Sequence, residues 1–155
     1  MYEGDYINDK REGNGKYIWE DGEYYIGQWL NDKKYGKGKE YDINGNIIYD
    51  GDFINDKYEG NGKYIWENGK YYIGQYKNGL SHGKGTEYYS NGKIKYEGDF
   101  INDKYEGNGK YIWENGEYYI GQWKNDLRNG KGTLYYPNGK IEKEGNFIND
   151  VFVGN

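Results

Sequence analysis

Residues Gly51 to Tyr76 read GDFINDKYEGNGKYIWENGKYYIGQY, and residues Gly98 to Trp123 repeat this stretch with two differences in 26 positions. Residues Gly4 to Trp29 match the second copy at all but three positions. The chain therefore has a long period of 47 residues, the distance from Gly51 to Gly98. A fixed period of this length is typical of repeat architectures, in which each unit buries its apolar surface against its neighbours.

Each long period divides into two related halves. A glycine that opens each half recurs at alternating steps of 23 and 24 residues, at Gly4, Gly27, Gly51, Gly74, Gly98, Gly121 and Gly145. In the first six halves a GxG pair follows nine residues later, and a turn glycine comes seven residues after that. We therefore expect a single repeat domain over 1–155. It has repeats at 2–24, 25–48, 49–71, 72–95, 96–118 and 119–142, and a partial one at 143–155.

Each repeat contains two short segments that are rich in aromatic and β-branched residues, such as Gly15–Trp19 and Tyr25–Trp29. Asn, Asp and Gly bound these segments, a pattern that predicts two strands per repeat. The chain has no alanine and four leucines, so little is available for building helices. The predicted fold class is all-β: an elongated, single-layer sheet of antiparallel β-hairpins, twisted and with a groove.

The turn at Glu67-Asn68-Gly69 decides which side chains share a face. A two-residue turn would pair Trp66 with Tyr71. A three-residue turn with Gly69 in the left-handed region would instead place Tyr64, Trp66, Tyr72, Gly74 and Tyr76 together. We favour the second register because it gathers one face of aromatic rings and glycines, on which a ring can lie across the hollow that a glycine leaves.

Composition excludes several classes of protein. The 155 residues include no cysteine, one histidine and a formal net charge of -5. Disulfide frameworks, thiol nucleophiles and cysteine zinc sites are therefore excluded, and we expect no metal, no cofactor and no nucleic-acid partner. The hydrophobic fraction is only 34%, but 22 tyrosines and five tryptophans supply apolar surface to bury. The first residues do not form a signal peptide, so we expect a cytoplasmic protein.

The repeats resemble the MORN repeat family. The match is carried by Tyr25-Ile-Gly27-Gln-Trp29 with Gly36-Lys-Gly38, and by the turn at Tyr135-Tyr136-Pro137-Asn138-Gly139. Asp32 and its equivalents stand where the family often has glycine. The resemblance implies an interaction module that is not itself catalytic. It also implies roles in protein scaffolds, cytoskeletal assemblies or membrane attachment. Acidic pairs such as Asp52 and Asp56 recur in every long copy, whereas a catalytic pair would be singular.

The aromatic face is the main candidate for binding a protein or peptide segment, because tyrosine and tryptophan are favoured at interfaces. For any single ring, a place in the core is the competing interpretation. The candidate groove residues are Tyr17, Trp19, Trp29, Tyr64, Trp66, Tyr76, Tyr111, Trp113 and Trp123.

A recurring set of lysines near the GxG pairs gives an alternative function, the recognition of phosphoinositide headgroups at a membrane. The competing interpretation is an ordinary surface on which lysines pair with acidic residues. The lysine set consists of Lys16, Lys37, Lys39, Lys63, Lys84, Lys110 and Lys131. A third interpretation is an accessory or targeting domain of a longer protein.

The partial seventh repeat carries apolar residues where the others have a polar loop. These residues are Val151, Phe152 and Val153, and they follow Phe147. An unpaired strand edge with apolar side chains invites the addition of another strand. We therefore expect these residues to cap the sheet or to contact a partner, including a second copy of the chain.

Overall fold

The computed structural model describes residues 1–155 and contains fourteen β-strands and no helix. Contacts within the chain group into two compact units, residues 1–80 and residues 81–155. The all-β fold class is confirmed. The expectation of a single repeat domain stays a prediction.

In the first unit consecutive strands pair antiparallel from the first strand to the seventh. Its strands are β1 (Tyr2–Ile7), β2 (Lys10–Ile18), β3 (Tyr24–Leu30), β4 (Lys33–Tyr41), β5 (Ile47–Ile54), β6 (Lys57–Ile65) and β7 (Tyr71–Lys77). The predicted pair of strands is thus present in each repeat of this unit.

The second unit has the same antiparallel order from its first strand to its last. Its strands are β8 (Leu80–Tyr88), β9 (Ile94–Ile101), β10 (Lys104–Ile112), β11 (Tyr118–Lys124), β12 (Leu127–Tyr135), β13 (Ile141–Ile148) and β14 (Val151–Gly154). Strand β8 begins one residue before the boundary between the units.

Two kinds of turn connect the strands. The first is a two-residue loop, such as Asn8-Asp9, in which both residues have positive φ, 50° and 62°. Asparagine and aspartate tolerate this left-handed conformation, and such turns match the twist of the flanking strands. The second kind is the three-residue loop before Lys70. The Trp66 N–H donates to the Lys70 carbonyl, and the Gly69 N–H donates to the Trp66 carbonyl, each at 2.9 Å.

This second turn sets the register of the sheet. Gly69 has φ 83°. Tyr64 pairs directly with Tyr72, and Gly62 pairs with Gly74. The predicted three-residue turn is confirmed. One face of the sheet, which we call the aromatic face, therefore carries three kinds of residue. They are the first tyrosine of each complete repeat, the ring four residues after it, and paired glycines such as Gly62 and Gly74.

Tyrosine rings lying over glycines form the core of each unit. The Tyr49 ring lies over the glycine pair Gly51 and Gly62, and its hydroxyl donates to the Asp52 carbonyl at 3.0 Å. A Cβ atom on Gly62 would lie 2.5 Å from Tyr49 Cζ, so glycine is required there. The buried rings are Tyr25, Trp29, Tyr49, Phe53, Tyr72 and Tyr76 in the first unit. In the second they are Tyr89, Tyr96, Phe100, Tyr105, Tyr119, Trp123 and Phe147.

Aspartates in the two-residue turns link consecutive repeats. The Asp56 N–H donates to the Lys34 carbonyl at 3.1 Å, while the Lys34 N–H donates to Asp56 Oδ1 at 2.8 Å. The same double contact joins Arg11 to Asp32, Ser81 to Asp103, Tyr105 to Asp126 and Arg128 to Asp150. Aspartate where the family often has glycine therefore adds a contact that glycine cannot make.

Candidate interaction site

Three of the nine predicted groove residues belong to the core. Trp29, Tyr76 and Trp123 expose 8% of their surface or less. The indole N–H of Trp29 donates to the Gly15 carbonyl at 3.3 Å, and that of Trp123 donates to the Gly109 carbonyl at 3.2 Å. A partner could reach these rings only by displacing the side chains that cover them, so the surface available for binding is smaller than the predicted groove.

The other six rings form three pairs at the surface of the aromatic face. Each pair consists of a half-buried tyrosine and a tryptophan two residues later, next to a three-residue turn. The ring centroids lie 5.3 Å apart in Tyr17–Trp19 and in Tyr64–Trp66, and 4.9 Å apart in Tyr111–Trp113. Among the three tryptophans, Trp66 is the most exposed, with 40% of its surface open to solvent, while Trp19 and Trp113 are half-buried.

Two carboxylates lie among these rings, which the sequence analysis did not anticipate. Glu40 accepts a hydrogen bond from the Tyr58 hydroxyl at 2.6 Å and forms an ion pair with Lys34. Glu87 accepts from Tyr105 at 2.6 Å. Burial, and then the negative charge of Glu40, raise the pKa of Tyr58. Aligning the repeats would have revealed these residues, because Glu40 and Glu87 occupy the position of Tyr17 and Tyr64.

Basic side chains cover two of these three tryptophans, Trp19 and Trp113. Lys34 Nζ lies 5.0 Å from the Trp19 ring centroid, and the Arg128 guanidinium lies 5.6 Å from that of Trp113. Such placements are within the range of cation–π attraction. The face of the sheet thus combines aromatic rings with charges that are already partnered inside the chain.

A wide cavity of about 1010 Å³ lies beside Trp66 in the first unit. Its wall includes the side of the β4–β5 turn, the Tyr64 ring and the Trp66 ring. The charged residues that line it are Glu23, Asp42 and Glu67, with no lysine or arginine among them. The Asn46 side chain and backbone N–H lower the pKa of Asp42, so this carboxylate is ionised near neutral pH.

The lysine set lies on the opposite face, and most of its members have partners there. Three form ion pairs, Lys37 with Asp52, Lys39 with Asp50 and Lys84 with Asp99. Three others lie 4.4 to 4.6 Å from tyrosine ring centroids, Lys16 at Tyr24, Lys63 at Tyr71 and Lys110 at Tyr118. The lysines are therefore interspersed with acidic and aromatic side chains.

The predicted terminal edge separates into two faces. Phe147 is buried, and the Phe152 ring packs on it with centroids 5.3 Å apart. Val151 and Val153 point to the opposite face and are exposed, at 62% and 54%. These residues form β14, which pairs with β13 through Phe147–Phe152 and Ile148–Val151. Only the two valines are thus available at this edge without disturbing the core.

The acidic pairs considered for catalysis have structural partners. Asp52 accepts a hydrogen bond from the Asn61 N–H at 3.0 Å and forms an ion pair with Lys37. Asp56 accepts a hydrogen bond from the Lys34 N–H of the preceding repeat. No group of acidic and histidine side chains is placed to hold a metal ion. The structure contains no helix that could span a membrane.

The exposure of isoleucine side chains on the opposite face of each unit is a feature that the sequence analysis missed. These residues are 44% to 48% exposed: Ile26, Ile54 and Ile73 in the first unit, and Ile101 and Ile120 in the second. The sequence contains a signal for it: these residues alternate with the core tyrosines and phenylalanines, so they point away from the aromatic face. The opposite face therefore combines aliphatic side chains with the lysines and their acidic partners.

The antiparallel hairpins and the tyrosines packed on glycine pairs define a β-hairpin repeat protein. The family model for the MORN repeat matches residues 2–24, 25–47, 49–71, 72–94, 96–118 and 119–141. The chain belongs to the MORN repeat family, whose repeats are non-enzymatic modules that generally serve as scaffolds for protein or membrane interactions. A comparison with curated proteins finds no match.

Proposed function

We propose that this chain is a non-enzymatic scaffold that binds a protein or peptide segment through the aromatic face. The observation that supports it is the partly exposed tyrosine–tryptophan pair that recurs beside the three-residue turns, most open at Tyr64–Trp66. Large rings held in place by a rigid sheet lose little conformational entropy when a partner covers them, and they are frequent among the residues that dominate binding energy. We place such a scaffold in the cytoplasm, on a cytoskeletal or membrane-associated assembly.

Recognition of phosphoinositide headgroups by the lysine set is the alternative. Most of these lysines already face acidic groups or tyrosine rings, as in the Lys37–Asp52 and Lys39–Asp50 pairs. A headgroup would have to compete with those partners, and the chain's net charge of -5 opposes attraction to an anionic surface. Binding at the C-terminal strand edge, through Val151 and Val153, is a further route to a protein partner.

The test is protein capture with matched variants. The double variant Trp66→Ala/Trp113→Ala removes two surface rings of the aromatic face. The control Tyr35→Ala removes a ring that is 43% exposed on the opposite face. Each bait is first shown to fold by circular dichroism. We expect wild type and the control to retain the same protein from a lysate, and the double variant to lose it.

A second pair of baits separates the alternatives. Lys63→Glu/Lys110→Glu reverses two charges of the lysine set, and Val151→Asp/Val153→Asp places charges on the terminal edge. Loss of capture with the lysine variant, a steep decline with salt and retention by the tryptophan variant would favour the membrane alternative. Loss of capture with the valine variant alone would indicate that the partner binds at the C-terminal strand edge.

A further inference from the structure

Trp66 and Trp113 occupy the same position in two copies of the 47-residue period, yet their surroundings differ. Around Trp113 the space is filled from within the chain. Tyr89 is buried and donates to the Ile112 carbonyl at 2.7 Å. Lys95 Nζ lies 5.9 Å from the Tyr111 ring, and the Arg128 guanidinium lies 5.6 Å from the Trp113 ring. Two cations of the chain thus lie over this aromatic pair.

Around Trp66 the corresponding residues are different. Asp42 stands 47 residues before Tyr89, and Ile48 stands 47 residues before Lys95. In the sequence, Ser81 occupies the place that Arg128 has in the next copy. Neither Trp66 nor Tyr64 has a lysine or arginine over its ring. Within the first unit, the pair Tyr64–Trp66 therefore lacks the lysine of the other copy and has a carboxylate in place of its tyrosine.

The two tryptophans border cavities that differ in position and in lining. The cavity at Trp113 lies on the side of Trp123 and Asp126, whereas the cavity at Trp66 lies on the side of the β4–β5 turn. The cavity at Trp113 measures about 320 Å³ and is lined by Lys95 and Arg128 as well as by two aspartates. The cavity at Trp66 measures about 1010 Å³ and has no basic residue in its lining. We call this larger cavity the Trp66 pocket; it is lined by Trp66, Tyr64, Glu23, Asp42, Glu67 and Ile48 among others.

We propose that the Trp66 pocket receives the lysine or arginine side chain of a basic partner segment. The aromatic rings offer their negative faces to a cation, and the carboxylates around them add a favourable potential that no internal cation neutralises. Two contacts within the chain have the arrangement that we propose for the bound side chain. Lys34 Nζ lies 5.0 Å from the Trp19 ring, and Arg128 lies over Trp113. This proposal rests on the proposed function, because it identifies the partner chemistry for one part of the aromatic face.

The test uses a pair of peptides that differ in charge but hardly in shape. Acetyl-Gly-Arg-Gly-Arg-Gly-amide is titrated into the ¹⁵N-labelled chain, and the indole N–H resonance of Trp66, assigned with Trp66→Phe, is followed by NMR. The probe of matched shape carries citrulline in place of both arginines. We expect a saturable shift of the Trp66 resonance with the arginine peptide, binding at least tenfold weaker with the citrulline peptide, and weaker binding as salt rises.

Variants of the chain provide the matched controls. Ile48→Lys introduces at the pocket a lysine equivalent to Lys95 of the other copy. We expect this variant to bind the arginine peptide at least tenfold more weakly than wild type does. Ile73→Lys adds the same charge on the opposite face, where Ile73 is 44% exposed, and we expect binding to change less than twofold. Asp42→Asn, whose amide oxygen can still accept the turn hydrogen bonds, should weaken binding severalfold.

Three results would overturn the proposal: equal binding of the arginine and citrulline peptides, an unchanged Trp66 resonance, or equal weakening by Ile48→Lys and Ile73→Lys. These results are distinguishable from failure of the proposed function. If the arginine peptide does not bind at Trp66 while Trp66→Ala/Trp113→Ala still abolishes capture of a protein, the aromatic face binds a partner of other chemistry. If both experiments fail, neither proposal stands.

Discussion

The Tyr58 hydroxyl donates a 2.6 Å hydrogen bond to the Glu40 carboxylate, and 47 residues later Tyr105 donates the same bond to Glu87. Each bond places a charged acceptor among the aromatic rings. The tyrosine rings are stacked face to face on the core, with Tyr58 at 3.8 Å from Tyr49 and Tyr105 at 3.8 Å from Tyr96. The hydroxyl therefore satisfies a carboxylate that has few other partners within the sheet.

Removing this hydroxyl should destabilise the protein. Tyr58→Phe keeps the stacked ring but leaves Glu40 with Lys34 as its remaining side-chain partner. A hydrogen bond to a charged group is worth about 1.5–3 kcal/mol, and we expect a loss of that size in the free energy of unfolding. Chemical denaturation of Tyr58→Phe and of the equivalent Tyr105→Phe measures it. The control is Tyr6→Phe, at a ring that is 58% exposed. A loss in the control as large as in Tyr58→Phe would contradict the explanation.

The turn at Asn78-Gly79 lacks the carboxylate that links the other repeats. The Gly79 N–H donates to the Tyr58 carbonyl at 2.9 Å, but no side chain returns the contact. Gly79 has φ 86°, and no atom lies within 4 Å of a Cβ built there. An aspartate there would accept one hydrogen bond, worth about 1 kcal/mol, while the positive φ opposes any side chain. We therefore expect Gly79→Asp to be more stable than Gly79→Ala by about 1 kcal/mol.

The matched control for this prediction is Asp126→Gly. It removes the carboxylate from an equivalent turn and so reproduces there the glycine that stands at Gly79. Asp126 Oδ1 accepts from the Tyr105 N–H at 2.8 Å, so its removal should lower the free energy of unfolding by a similar amount. Thermal unfolding of both variants provides the measurement. The linking role of the turn aspartates would be contradicted if Gly79→Asp were no more stable than Gly79→Ala and Asp126→Gly were as stable as wild type.

The register of the sheet could be predicted from sequence, because few residues adopt the required backbone conformation. Gly69 is the one glycine in its turn, and placing it in the left-handed region fixes which residues pair. Once Tyr64 faces Tyr72, alternation along each strand assigns every other side chain to a face. The MORN-type sequence pattern contributed the same expectation.

The exposure of individual rings could not be predicted in the same way. Trp29 and Trp66 are the same residue type and lie on the same face, yet Trp29 is buried and Trp66 is 40% exposed. The difference arises because Trp29 lies among the core tyrosines, whereas Trp66 lies at a strand end beside a turn. The cavity at Trp66 depends in addition on Asp42, a residue in a neighbouring repeat. The exposure of a ring thus depends on side chains from several strands, which the sequence around that ring does not contain.

The glycine pairs beneath the core tyrosines should tolerate no side chain. A Cβ on Gly62 would lie 2.5 Å from Tyr49 Cζ, and Tyr49 is fully buried, so its ring cannot move aside without repacking. We expect Gly62→Ala to destabilise the protein by roughly 1–3 kcal/mol or more, the cost of overpacking a core. Denaturation measures the cost. Gly79→Ala is the control, because its Cβ meets no atom and only the positive φ opposes it, at about 1–2 kcal/mol. A smaller loss for Gly62→Ala than for Gly79→Ala would contradict the role assigned to the glycine pairs.

The buried tyrosines predict how stability depends on pH at the alkaline end. Burial raises the pKa of Tyr25, Tyr49 and Tyr96 well above the ordinary value of about 10. Because the folded pKa is higher than the unfolded pKa, the contribution of these groups to stability is complete below about pH 10 and is lost as the pH rises further.

We therefore expect the free energy of unfolding to fall steeply above about pH 10. The tyrosinate ultraviolet band should rise in two stages. Solvent-exposed hydroxyls ionise first, while the sheet is intact, and the core tyrosines ionise together with the loss of circular dichroism. A single titration step near pH 10 with unchanged circular dichroism would show that water reaches the rings over the glycine pairs, and would contradict a tyrosine core.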